Sequence, residues 1–138
     1  MVSNCLDKFI LKDEVSAAEI FSLEDKNIIL VQLKDGADIE LKEAKEIIAH
    51  VKALADPTKK TFGITKIGKG SSANNEARNY FANCKFTVNH TAAMATVFND
   101  LASRLLYNFY IRMNKPKIKN RGFSSIQSAV DWLTKLGA

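Results

Sequence analysis

The sequence predicts a single α/β domain built on a mixed sheet, and three observations carry that expectation. Two short apolar runs, AEIFSL at 18–23 and IILVQL at 28–33, flank a cluster of turn residues, which is the pattern of a β-hairpin. From position 41 the apolar spacing switches to three and four residues, which marks a helix. HTAAMATVF at 90–98 is a run of small and apolar side chains between two amphipathic stretches, as a strand covered on both faces requires. A chain of 138 residues, 46% hydrophobic and 25% charged, has about the modal size and ordinary composition of one domain. The expected element order is ββαβαβαβα.

Each element has a local reason. The hairpin turns at Glu24-Asp25-Lys26-Asn27, and Asp35-Gly36 closes its second strand. Leu41, Ala44, Ile47, Ile48, Val51, Leu54 and Ala55 then share one helical stripe. Asp56-Pro57 stops that helix, because the residue before proline avoids the helical region. KTFGITKI at 60–67 reads as a strand with Phe62, Ile64 and Ile67 as its apolar positions, followed by a loop at 68–72. Asn74 is the expected N-cap of a short helix carrying Ala77, Tyr80 and Phe81 inward, with Glu76 in its first turn. After the small-residue strand, Asn99-Asp100 starts a helix that runs to Asn114 and ends before Pro116. Its Leu105, Leu106, Phe109 and Met113, with Tyr107 beside them, are expected to dock on the core, and Phe109→Ala would cost about 3–5 kcal/mol if that ring is buried. Phe62, Phe98 and Phe123 are expected core; Tyr80, Phe81, Phe109, Tyr110 and Trp132 are core or interface. Gly122-Phe123 supplies a last short strand, and Ser124 or Ser125 caps a terminal helix with Ile126, Ala129, Val130, Leu133 and Leu136 inward. Residues 1–12 have little pattern and are expected to add an arm or an extra strand to a domain of residues 13–138.

Composition excludes several classes. No apolar run approaches the roughly 20 residues of a membrane helix, and MVSNCLDKFILKDE has acidic residues where a signal peptide would be basic. A cytoplasmic location follows as the expectation. Cys5 and Cys84 are far apart and have no companion ligands nearby, so reduced structural thiols are expected rather than zinc. His50 and His90 lack partners at metal-ligand spacing. GKGSS is shorter than a P-loop and its Lys69 precedes the closing glycine. No nucleophile–base or paired-carboxylate arrangement stands out, so neither catalysis nor a cofactor is expected. The net charge of +5 conceals a polarity: residues 1–56 carry 7 Lys+Arg against 12 Asp+Glu, and residues 57–138 carry 13 against 3. Such asymmetry fits an acidic partner or head-to-tail self-association. Nucleic acid is not the expected partner, because no interleaved stacking aromatics accompany the basic residues.

As a set, ARNYFA at 77–82, HTAAMATVF at 90–98, NFYIRMNKP at 108–116, and RGF with AVDWL at 121–133 resemble a group of uncharacterised bacterial domains with the STAS fold. STAS (SpoIIAA-like) domains are the anti-sigma-factor antagonists, and the likeness runs from about Asp13 to Leu133. It implies a four- or five-stranded mixed sheet with helices mainly on one face. It also implies a non-enzymatic regulatory module that binds a protein partner or ligand. In regulatory members a serine at a helix N-terminus is phosphorylated, where free N–H groups and the helix dipole favour phosphate. The corresponding segment here is KGSSANNEAR, which lacks the Asp-Ser-Ser-Gly type of pattern, and Ser72 is the candidate by position.

The polar residues within these motifs are the candidate binding residues: Arg78, Asn108, Asn114, Lys115 and Arg121, with Tyr80 as an aromatic neighbour. Arg104, Asn108 and Arg112 fall in one i, i+4 row. Arg78 paired with a carboxylate or a helix end, and Asn114 capping the long helix, are the structural roles the same residues would fill. Lys115, Lys117, Lys119 and Arg121 alternate, so an extended backbone would project all four to one side as a basic ridge. Two functions are expected in order. The first is recognition of a protein partner or of a second copy, as a homodimer, which requires a contiguous exposed apolar patch with a polar rim. The second is small-molecule or lipid binding, which requires a deep, largely apolar pocket.

Overall fold

The computed structural model describes residues 8–23 and 25–138. Cys5, Glu24 of the predicted turn and the first seven residues of the predicted arm lie outside the described residues. The chain runs β1 (Phe9–Glu14), β2 (Ala18–Leu23), β3 (Ile28–Leu33), β4 (Asp38–Ile39), α1 (Leu41–Leu54), β5 (Thr61–Lys66), β6 (Ser72–Ala73), α2 (Asn75–Asn83), α3 (Lys85–His90), β7 (Thr91–Val97), α4 (Leu101–Asn114), β8 (Lys119–Phe123) and α5 (Ile126–Lys135).

Six strands form one mixed sheet in the order β1-β2-β3-β5-β7-β8. The β1–β2 and β2–β3 pairings are antiparallel, and the other three are parallel. Parallel neighbours need a crossover, and α1, then α2 with α3, then α4 supply them. The small-residue strand β7 lies between β5 and β8. Side chains alternate across the sheet and make a core on each side. On one side Leu30, Phe62, Ile64, Ala93, Ala95 and Val97 pack against Ile126, Ala129, Val130 and Leu133 of α5. On the other, Ile20, Ile29 and Val31 pack against Ala44, Ile47 and Val51 of α1 and Ala77 of α2. Among the described residues α1 to α4 lie on this second side, and α5 alone covers the first.

The sheet exceeds the predicted four or five strands, and a second pairing, β4 with β6, forms a small parallel ladder beside it. β1 (FILKDE) is mostly exposed, so it has no inward alternation to read. Backbone pairing to β2 holds it, together with the Lys34–Glu14 ion pair at 2.6 Å and a contact between Asp13 and His50 of α1. α3 was not expected; its six residues, KFTVNH, are too few to show a period. β8 starts earlier than the predicted Gly122-Phe123. Phe62 is buried, while Phe98 and Phe123 are half-buried.

The main correction concerns α4. Leu105 and Met113, expected to dock inward, are 58% and 59% exposed, and Phe109 is 38% exposed. The buried face carries the expected Tyr107 together with Ser103 and Asn114. Tertiary contacts set this rotation. Asp100 Oδ1 accepts from the Ser103 backbone N–H at 2.7 Å, the Tyr107 ring lies 5.2 Å from that of Phe98, and the Tyr107 hydroxyl donates to Asn120 Oδ1 at 2.8 Å. Leu54 and Leu136, predicted inward, are also exposed; they stand at the ends of α1 and α5, where the burying stripe stops. Asn114 does not cap α4. Lys115 does so in the left-handed conformation at φ 47°, a role more often taken by glycine or asparagine.

Candidate functional site

Rotating α4 in this way leaves four apolar side chains, Leu101, Leu105, Phe109 and Met113, on its outer face. Each is four residues from the next, so the row winds by roughly 40° per step. Arg104, Asn108 and Arg112, all exposed, lie on the same side and border the row. The expected division of this helix into an apolar inner face and a polar outer one is therefore replaced by an outer face that is apolar with a polar margin.

Arg78 ties this face to α2. Its Nε donates to Asn114 Oδ1 at 3.1 Å, its Nη1 donates to the Ala73 carbonyl, and its guanidinium lies 5.0 Å from the Phe109 ring centroid, within cation–π range. Asn114 Nδ2 in turn donates to Asn79 Oδ1 at 2.6 Å and Asn75 Oδ1 at 3.3 Å. The structure thus brings together Arg78, Asn114 and Phe109. Tyr80 is half-buried against the α1 core, where burial, followed by the neighbouring Cys84, raises its hydroxyl pKa.

Lys115, Lys117, Lys119 and Arg121 are all exposed and alternate with the half-buried Pro116, Ile118 and Asn120. Lys119 and Arg121 belong to β8, an edge strand, and Arg121 lies 5.2 Å from the Phe123 ring centroid. Charge on an edge strand opposes pairing with a foreign sheet. Ser72 is exposed in β6, with its hydroxyl 3.4 Å from Asp38 Oδ1 and its N–H given to the Ala37 carbonyl. Asn74, accepting from the Ala77 N–H at 2.9 Å, caps α2. A phosphate on Ser72 would stand beside the Asp38 carboxylate.

Beneath α4, on the four-helix side of the sheet, is a cavity of about 150 Å³. β5 and β7 provide its floor at Gly63 and Met94, while Leu106, Tyr107 and Tyr110 form its α4 wall and α1 and α3 contribute Ile47 and Phe86. The lining is mostly apolar. Asn120 Oδ1 accepts from both the Tyr107 hydroxyl and, at 3.4 Å, Thr96 Oγ1. Thr61 is also a lining residue; it is 3% exposed, and its buried Oγ1 has no hydrogen-bond partner among the described residues. Burial pushes the Tyr107 hydroxyl up to about 12 and that of Tyr110 higher still. The sequence reading missed the cavity. Its signal was the alternation of Thr61, Gly63 and Thr65 against Phe62 and Ile64, which puts small and hydroxyl-bearing residues on one face of a central strand. Among the described residues no three His, Cys, Asp or Glu side chains gather to hold a metal, and no helix is long and apolar enough to cross a membrane.

These features define a single α/β domain whose mixed sheet supports a helix exposed on one side and walling a cavity on the other. The chain belongs to the family described as Domain of unknown function (DUF7793), whose model matches residues 21–137; β1 and the start of β2 precede the matched span. No curated protein and no solved structure matches the chain.

Proposed function

We propose that this protein is a non-enzymatic, cytoplasmic STAS-like module that recognises a protein partner or a second copy of itself through the outer face of α4. The row of Leu101, Leu105, Phe109 and Met113 carries the reading. Single exposed apolar side chains are ordinary, whereas four in one continuous row, bordered by Arg104, Asn108 and Arg112, have the composition of an interface centre with its rim. The STAS-like assignment is supported by a hairpin followed by parallel crossovers and by the motif set from ARNYFA to AVDWL. Sedimentation velocity over a range of concentrations tests self-recognition: a dimer that the Leu105→Glu/Met113→Glu variant dissociates is the expected result. If the wild type is monomeric, a photo-crosslinker at position 105 should trap one protein that the same group at Lys52 on α1 does not. A monomer with no position-specific crosslink would refute the reading.

A further inference from the structure

We infer that the cavity beneath α4 is a binding site for one small, neutral, mainly apolar molecule with a single hydroxyl or carbonyl oxygen, which Thr61 Oγ1 recognises. Three observations converge on it. The volume, about 150 Å³, matches that of apolar cavities that take up a benzene-sized molecule. Thr61, in its wall, buries a hydroxyl that has no partner among the described residues, and such a group costs free energy until something bonds to it. The floor is adaptable: a Cβ on Gly63 would come within 2.7 Å of the Met94 Cε, so that space belongs to a flexible thioether able to adjust around a guest.

The charge of the ligand follows from Arg78. It is the charged residue of the lining, but its Nε and Nη1 are bonded to Asn114 and the Ala73 carbonyl and its guanidinium lies against Phe109. An anion in the cavity would give up its water for a mostly apolar lining in which these two Arg78 nitrogens already have acceptors, which disfavours it. A neutral oxygen can instead pair with Thr61, while the hydroxyls of Tyr107 and Thr96 remain on Asn120. The site is distinct from the outer face of α4, since Leu106, Tyr107 and Tyr110 project the other way.

The test uses benzyl alcohol, toluene and benzoate as probes, read by the ¹³C-methyl resonance of Met94 in the full chain. Benzyl alcohol should shift that resonance saturably, and benzoate should not. Thr61→Val, close to isosteric, should weaken benzyl alcohol roughly tenfold while leaving toluene within about twofold. Gly63→Ala, which displaces the thioether, should abolish the response to both. No saturable shift with benzyl alcohol, equal losses for benzyl alcohol and toluene in Thr61→Val, or tight benzoate binding would each overturn the assignment.

Discussion

Phe109 lies with its ring near the Arg78 guanidinium and is 38% exposed. Its truncation to alanine removes a cation–π contact and partial burial, so the expected cost is about 1–2 kcal/mol, less than the ~3–5 kcal/mol of a fully buried ring. A urea melt reads the difference, and a loss in the larger range would mean that the ring is covered in solution. Gly68 sets a stricter limit. A Cβ there would come within 2.5 Å of the Leu33 carbonyl oxygen and 2.6 Å of that of Lys34, and backbone cannot swing aside as Met94 can. Gly68→Ala should destabilise the fold by about 1–3 kcal/mol; a variant with an unchanged denaturation midpoint would contradict the packing of this loop on the end of β3.

At the scale of the element, α4 concentrates what is unusual in the molecule. Its C-cap, Lys115, adopts φ 47°, a conformation that costs an L-residue roughly 1–2 kcal/mol and glycine almost nothing. Lys115→Gly is expected to stabilise the protein by about 0.5–1 kcal/mol, after allowing for glycine's greater freedom in the unfolded chain. A decrease in thermal midpoint would show that the lysine side chain contributes more than its backbone costs. The other end and both faces of the helix are equally determined by neighbours: Asp100 caps it, Tyr107 reaches Asn120, and Asn114 clasps α2. Helical periodicity alone could not orient it, because Leu101, Leu105, Phe109 and Met113 form as good an apolar stripe as Leu106, Tyr107 and Tyr110.

For the whole molecule, the titrating groups define a stability window. Hydrogen bonds from His50, Ser16, Thr58 and Ser103 depress the pKa values of Asp13, Glu46, Asp56 and Asp100 respectively. Stability from these carboxylates is present above their ordinary values near 4 and is lost as pH falls through the depressed folded ones. Burial raises all three tyrosines; their contribution is present below the ordinary value of 10 and disappears as pH rises toward 12 and beyond. Stability followed by chemical denaturation across pH should be level between these limits and fall on both sides. Tyrosinate absorbance of the folded protein rising with a midpoint near 10 would contradict the burial of Tyr107 and Tyr110. What the sequence by itself determined is the α/β class, the hairpin, the crossovers and the strand character of HTAAMATVF, which lies one place in from the sheet edge, because period, caps and breakers act within a few residues. The orientation of α4, the cavity under it and the unpartnered Thr61 hydroxyl were decided only by the tertiary structure. They depend on groups distant in the chain, Tyr107 with Phe98 and Asn120, and Arg78 with Asn114, meeting across the sheet and between helices, where no local pattern records which of two apolar stripes will turn inward.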